Sequence, residues 1–164
     1  MKDKNFKTSF EADQSASTVF NAINNVQGWW SENVLGGTTH VNDEFLYQYK
    51  DAHMCRMRII ESVPDARVVW LVLENRFNFT EDKTEWVGNK IVFDISRKDG
   101  KTHLEFTQIG LVPEYECYEV CQDAWTSYIK GSLRNLVTTG KGNPNSKEHD
   151  LNQELIEKWG LPVK

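Results

Sequence analysis

The sequence predicts an α+β domain in which an antiparallel sheet is covered by one long helix near the carboxyl terminus. Two periodicities support this class. Several segments alternate apolar and polar residues with a period of two, whereas residues 114–139 repeat apolar residues with the period of an α-helix. Strands that alternate in this way have one face in water and one apolar face that needs a cover. The long helix supplies that cover.

The chain begins with a strand and a small helix. Residues 6–12 alternate apolar and polar side chains and predict a half-buried strand. Ser15 is a suitable N-cap for an amphipathic helix that reaches Ile23. The segment Gly28-Trp29-Trp30-Ser31 ends this helix, and Gly36-Gly37 predicts a turn.

The middle of the chain consists of strands separated by turn signals. Alternating or β-branched patterns predict strands over residues 44–50, 53–63, 67–73, 89–97 and 101–110, with a further short strand over 77–80. The pair Asp99-Gly100 is a strong signal for a tight hairpin between the last two strands.

The helix predicted over residues 114–139 has matching signals at both ends. Pro113 precedes it, acidic residues occupy its first turns and Gly140 follows it. Its inward positions recur at nearly 3.6 residues: Tyr118, Cys121, Trp125, Ile129, Ser132/Leu133 and Leu136.

A tail follows the long helix. Residues 146–159 predict a last short helix whose apolar side is formed by Leu151, Leu155, Ile156 and Trp159. We therefore divide the chain into a domain of residues 1–144 and a tail of residues 145–164, whose helix is expected to pack on the domain.

Length and charge exclude several classes of protein. The chain has 164 residues, enough for one domain, and a formal net charge of −5 without any block of Lys and Arg. Such a chain has no face suited to binding nucleic acid. No apolar run is long enough to span a membrane, and the polar first residues do not form a secretory signal, so we expect a cytoplasmic protein.

The motifs and their order resemble a known superfamily. They include Val19-Phe20, Gly28-Trp29-Trp30, Val69-Trp70, Glu85-Trp86-Val87-Gly88, Ile91-Val92-Phe93, Gly110-Leu111-Val112-Pro113, Glu116-Cys117-Tyr118-Glu119-Val120-Cys121 with Trp125, Gly131-Ser132-Leu133 and Thr139-Gly140-Lys141-Gly142-Asn143-Pro144. Over residues 5–144 the chain resembles the START-like (SRPBCC) superfamily, in its bacterial branch similar to the activator of heat-shock-protein-90 ATPase. This resemblance implies the helix-grip fold, a curved antiparallel sheet wrapped around a long carboxy-terminal helix with a small helical segment after the first strand.

The resemblance also implies a range of functions. Members of the superfamily bind apolar or amphipathic molecules in a cavity between sheet and helix, and a minority catalyse cyclase or lyase reactions there. Our leading hypothesis is a protein that binds a small hydrophobic or aromatic ligand. The alternatives are a co-chaperone or protein-interaction module with a chaperone as partner, and a cavity enzyme of the cyclase or lyase type.

An excess of large aromatic residues supplies the candidate binding site. Aromatic residues make up 12% of the chain. Six of them are Trp, about two to three times the ordinary frequency. We predict that the cavity is lined by Trp29, Tyr47, Met57, Trp70, Phe93, Phe106, Trp125 and Tyr128. The same residues would also suit a filled core, and the sequence leaves these two alternatives open. Trp30 is assigned to the turn after the small helix, and Trp86 to the start of a strand.

No motif for catalysis or cofactor binding is present. The sequence lacks a nucleophile elbow, a dinucleotide-binding loop, a Walker loop and a zinc-protease motif, so no catalytic residue and no cofactor are predicted. Cys117 and Cys121 lie one helical turn apart, and His53 and Cys55 add further soft ligands. Two thiols on one helix are half a zinc site, so we expect no metal and three free cysteines.

Overall fold

Seven strands form a single antiparallel sheet in this computed structural model, which describes residues 4–146 and 153–159. The strands are β1 Phe6–Ala12, β2 Val34–Gly36, β3 Glu44–Tyr49, β4 His53–Val63, β5 Arg67–Phe77, β6 Lys90–Lys98 and β7 Lys101–Ile109. Their order in the sheet is β1-β7-β6-β5-β4-β3-β2, so every neighbouring pair except β1 and β7 is also consecutive along the chain. Both Asp99 and Gly100 have positive φ in the predicted hairpin between β6 and β7.

One long helix follows the sheet. It consists of α3 Tyr118–Thr126, a π-helical segment Ser127–Leu133, and α4 Arg134–Thr139, which join without a break, and Gly140 ends it in the left-handed conformation. Two short helices, α1 Ala16–Asn24 and α2 Val26–Trp29, follow β1, and α5 Gln153–Lys158 lies in the tail. The predicted helix-grip α+β class is confirmed. None of the described helices is long and apolar enough to cross a membrane.

Four details differ from the sequence prediction. The three-residue strand β2 and the one-turn helix α2 were not predicted, because elements this short carry little periodic signal. Residues 78–80 do not form a strand, since β5 continues to Phe77 and the chain then bends. The long helix begins at Tyr118 rather than at residue 114. Residues 114–117 form a turn in which the backbone N–H groups of Glu116 and Cys117 donate to the carboxylate of Glu85.

The π-helical segment changes which side of the long helix faces the sheet. Its wider turns hold more residues than an α-helical turn, so the 3.6-residue period fails beyond Leu133. As a result Val137 is buried, whereas the predicted inward residue Leu136 is only partly buried. Within this segment the Ser132 hydroxyl donates to the Trp29 carbonyl at 2.6 Å and accepts from the Asn143 backbone N–H at 2.7 Å.

A β-bulge at Leu73 reverses the inward face of β5. Met57 of β4 lies opposite Val72, and the preceding residue Arg56 lies opposite Glu74, so Leu73 is an extra residue. Before the bulge, Val72 faces the interior. After it, the interior residues are Asn75 and Phe77, which are 3% and 1% exposed. This reversal brings an amide and a ring to the end of the sheet that lies beside the long helix.

The tail helix contacts the sheet away from the main core. Leu155 is buried against Leu46 and Met54, with Trp159 partly buried beside them. Leu46 and Met54 alternate with inward-facing neighbours on β3 and β4, so α5 covers the opposite face of the sheet. The predicted contact residue Leu151 lies outside the described residues.

Replacing Ser132 with Ala should destabilise the protein. The change leaves the buried Trp29 carbonyl and the Asn143 N–H without their hydroxyl partner, at a cost of about 1–3 kcal/mol. Ser127→Ala, an exposed change in the same π-helical segment, is the matched control and should cost less than about 0.5 kcal/mol. Urea unfolding measures both, and equal losses in the two variants would contradict the anchoring role of Ser132.

Candidate functional site

A cavity of about 560 Å³ lies between one end of the sheet and the long helix. Its walls come from β3, β4 and β5 on one side and α3 with the start of the π-helical segment on the other. It is lined by Trp30, Tyr47, Tyr49, Ala52, His53, Phe77, Phe79, Trp86, Val120, Cys121, Ala124, Trp125 and Tyr128. This volume lies within the range of small-molecule sites, and flat aromatic rings make up most of the wall.

Three of the eight predicted lining residues lie at this cavity. They are Tyr47, Trp125 and Tyr128. The other five pack in the closed interior beside it, each with 0% of its surface exposed: Trp29, Met57, Trp70, Phe93 and Phe106. They interlock too closely to leave space, since the Trp70 ring lies 4.9 Å from the Phe93 ring and 5.1 Å from the Phe45 ring. The interior thus contains both a filled core and a cavity at one end of it.

Trp29 and Trp30 have different roles despite being adjacent. The indole N–H of Trp29 donates to the Ile23 carbonyl at 3.1 Å inside the core. The ring of Trp30 stacks on Tyr47 with centroids 3.9 Å apart and lies 5.1 Å from Trp125, so it forms part of the cavity wall. The sequence predicts only a turn at Trp30, because two consecutive Trp after a short helix carry no signal that separates core from cavity.

Trp86 also forms the cavity wall, and it does not begin a strand as predicted. It lies in the loop before β6, is 3% exposed, and stacks with Trp125 at 6.0 Å and 15° between ring planes. Two carboxylates, one from this loop and one from the turn before the long helix, hold the two segments together. Glu85 accepts from two helix-end N–H groups, and Glu116 accepts from the N–H groups of Glu81 and Asp82 at 2.9 Å each.

The two hydrogen bonds that Glu116 accepts from Glu81 and Asp82 change the titration of its carboxyl group. They stabilise the charged carboxylate and hold the pKa of Glu116 below its ordinary value. The clasp formed by Glu85 and Glu116 therefore favours a fixed loop at neutral pH. Trp86, which this loop carries, is held against the long helix.

A buried polar network fixes Trp125. Its indole N–H donates to the Gln108 side-chain oxygen at 2.8 Å, and the Gln108 amide donates to Asn89 at 2.9 Å. The Asn89 amide in turn donates to the Tyr115 hydroxyl at 3.0 Å. Gln108 is completely buried, so each of these hydrogen bonds replaces hydration that the group has lost. The network ties α3 to β7 through the ring that forms the cavity wall.

His53 brings a titratable group to the cavity. Its Nε2 lies 2.6 Å from the Asn75 side-chain oxygen, and its ring contacts those of Phe77, Trp86 and Tyr47 with centroids 4.4, 4.6 and 5.5 Å away. Burial among these rings lowers the pKa of His53 to about 4, and the hydrogen bond to Asn75 opposes that shift. The imidazole is therefore neutral at pH 7.

Other polar groups near the cavity include hydroxyls and a thiol. Burial raises the pKa of Tyr47, and interaction with the Tyr128 hydroxyl adds to the rise. The Tyr128 hydroxyl accepts from the Asn145 amide at 2.8 Å. The Cys121 thiol contacts Cys117, and this hydrogen bond together with burial raises the pKa of Cys121, so the thiol stays protonated.

No metal site is formed by the residues that the structure describes. All three cysteines are free and buried, and no group of three or more His, Cys, Asp or Glu side chains lies close enough to hold a metal ion within residues 4–146 and 153–159.

The mouth of the cavity is unusually apolar. Tyr49, Phe79 and Val120 all line it, and 36%, 45% and 58% of their respective surfaces are exposed. Three large apolar side chains thus form an exposed apolar patch around one opening.

Replacing Gln108 with Leu should destabilise the protein and loosen the cavity wall. The buried Trp125 N–H and the Asn89 oxygen both lose their partner, which costs about 2–4 kcal/mol in the free energy of unfolding. Gln122→Leu on the same helix as Trp125 serves as the control and should change stability by less than about 1 kcal/mol. Denaturant titration gives both values, and a Q108L loss no larger than that of Q122L would show that the network is not stabilising.

The low pKa of His53 predicts a pH dependence of stability. The unfolded chain, with a His pKa of about 6.5, binds more protons than the folded chain between pH 6.5 and pH 4. Stability therefore falls as the pH is lowered through this window, by about 2 kcal/mol between roughly pH 7.5 and pH 5 for this group alone. His53→Gln should remove that part of the pH dependence, whereas His103→Gln should keep it. Urea unfolding at the two pH values tests this, and parallel behaviour of both variants would contradict it.

The fold is shared with several solved structures, although no family model and no curated protein sequence matches the chain. The Aha1 dimer from Colwellia psychrerythraea is similar with a TM-score of 0.68 and 18% identity, covering 84% of this chain and 98% of that one. Protein CV1439 from Chromobacterium violaceum is similar with a TM-score of 0.57 and 16% identity, covering 82% of this chain and 96% of that one.

A third similar structure comes from a biosynthetic locus. DynU16, a protein of the dynemicin biosynthetic locus, is similar with a TM-score of 0.62 and 13% identity, covering 96% of this chain and 61% of that one. At these identities the likeness establishes the fold. The chain has the fold of Aha1 and of related small bacterial proteins.

Proposed function

We propose that the protein binds a small, planar, apolar or aromatic molecule in the cavity between sheet and long helix. The observation that carries this proposal is a 560 Å³ cavity walled by the rings of Trp30, Tyr47, Phe77, Trp86 and Trp125. A molecule with flat faces gains contact with these rings and loses its unfavourable exposure to water. The structural likeness to proteins of the START-like type supports the same function.

The wall is already in place for such a ligand. Trp125 is held by Gln108, Trp30 by its stack on Tyr47, and Trp86 by the loop that the carboxylates of Glu85 and Glu116 secure. Rings fixed in this way lose little conformational entropy when a ligand binds. More of the burial energy therefore remains as affinity.

Binding fits the chemistry of the cavity better than a cyclase or lyase reaction does. His53 is the inward-facing titratable group that such a reaction would require. A base whose pKa is about 4 withdraws a proton from carbon or oxygen poorly at neutral pH, because an effective catalytic base has a pKa near the working pH. The pKa values of Tyr47 and Cys121 are both raised, so these side chains keep their protons at neutral pH.

A protein-interaction role is the second candidate. The exposed apolar mouth formed by Tyr49, Phe79 and Val120 is the feature that favours it, since such patches also mark protein contacts. The fold likeness to Aha1 makes the heat-shock-protein-90 chaperone the partner to test. Binding of the purified chaperone, lost in Phe79→Ser, would support this second candidate.

Ligand binding can be tested with a panel of aromatic molecules of two to four rings, from naphthalene derivatives upwards. At least one should bind saturably with a Kd below about 100 µM and raise the melting temperature, because binding to the folded state stabilises it. Quenching of the cavity Trp fluorescence reports the occupancy.

A cavity-filling variant locates the binding. Ala124 lines the cavity, so Ala124→Trp should reduce affinity at least about tenfold, because the new ring occupies the ligand's space. Ala66→Trp, the same change at an exposed turn, should leave affinity unaltered. A panel without any binding member, or equal loss of binding in both variants, would overturn the proposed function.

A further inference from the structure

One ring nitrogen of His53 has no hydrogen-bond partner among the residues that the structure describes. Nε2 lies at 2.6 Å from the Asn75 oxygen, whereas Nδ1 makes no hydrogen bond to any residue within the described ranges. The three rings that His53 contacts, those of Tyr47, Phe77 and Trp86, all line the cavity. The imidazole therefore forms part of the cavity wall.

The hydrogen bonds around Asn75 determine where the His53 proton lies. The Asn75 amide nitrogen donates to the backbone carbonyl of Lys83 at 3.2 Å, and only the NH₂ group of an amide can do so. The other amide atom, facing His53, is thus the oxygen, which only accepts. Nε2 must therefore carry the single proton of the neutral ring, and Nδ1 carries a lone pair.

Other polar atoms of the wall are already occupied or are buried within it. The indole N–H groups of Trp30 and Trp86 are donors, not acceptors, and have almost no accessible surface. The hydroxyls of Tyr47 and Tyr128 interact with each other, and Asn145 donates to Tyr128. His53 lines the cavity, and its Nδ1 is an acceptor without a hydrogen-bond partner among the described residues.

We propose that the ligand is a planar aromatic molecule carrying a hydroxyl group, and that this hydroxyl donates a hydrogen bond to Nδ1 of His53. This inference rests on the proposed function, since it names the class of ligand for the same cavity. A ligand of equal shape without a donor leaves Nδ1 desolvated and unpaired, so the site discriminates against it. The role of His53 is to select and orient the ligand.

A matched pair of ligands tests the inference. 2-Naphthol and 2-methoxynaphthalene share one ring system, but the methyl ether has no donor. The wild-type protein should bind 2-naphthol roughly three- to tenfold more tightly, although 2-naphthol is the more water-soluble of the two. In His53→Phe, which keeps a flat ring without a lone pair, the preference should disappear or reverse, while His103→Phe should retain it.

A measurement on the unmodified protein guards against misfolding of the His53 variant. Long-range ¹H–¹⁵N NMR spectra distinguish a ring nitrogen that carries a proton from one that carries a lone pair. We expect the Nε2–H form of His53 in the free protein, and a shift of the Nδ1 signal when 2-naphthol is added. A proton on Nδ1 would overturn the inference.

The two proposals fail in different ways. Equal affinity for both naphthalenes in the wild-type protein would overturn the role of His53 and leave ligand binding intact. If no molecule of the aromatic panel binds, both proposals are overturned.

Discussion

The hydrogen bond between the Trp125 indole and Gln108 joins the long helix to the sheet where the closed core ends and the cavity begins. On one side of this point, Phe106 lies 4.5 Å from Trp125 and the interior is filled with rings. On the other side, Trp86 and Trp30 extend the same group of rings around open space. The buried amide holds the Trp125 ring in one orientation, which hydrophobic packing alone would not specify.

Polar anchoring explains how an interior so rich in aromatic residues keeps a cavity open. Apolar rings without constraints would collapse into the space, because each gains contact energy by doing so. Trp125 is prevented from moving by Gln108, and the loop that carries Trp86 by the carboxylates of Glu85 and Glu116. The Ser132 hydroxyl holds α2, and therefore Trp30 at its end, to the long helix. Polar groups behind the cavity wall thus fix the aromatic rings that face the cavity.

Much of the fold follows from local periodicity in the sequence. The strands at residues 6–12 and 53–63 coincide with the alternating segments, and Ser15 caps α1 as its position indicates. The same periodicity also places Gln108 and His53 on the inward faces of their strands. Gln108 shares the inward face of β7 with Phe106, and a polar residue on an apolar face marks a buried network.

The rest of the site depends on features without a local signal. Asn75 faces the interior only because the bulge at Leu73 exchanges the inward and outward faces of β5. No residue type in that stretch indicates a bulge. Trp86 lies in a loop, where no periodicity relates a side chain to a face of the sheet. The π-helical segment likewise shifts the inward side from Leu136 to Val137. Each of these features arises from long-range packing.

The low pKa of His53 decides what kind of hydrogen bond the cavity offers. Moving a proton from an aromatic hydroxyl to an imidazole with a pKa of about 4 would create two charges among apolar rings. The proton therefore stays on the ligand, and the site recognises the neutral hydroxyl. Selectivity then comes less from the strength of the hydrogen bond than from the cost of leaving Nδ1 unpaired beneath a ligand that displaces its water. The aromatic wall that gives the ligand its affinity also makes this acceptor selective.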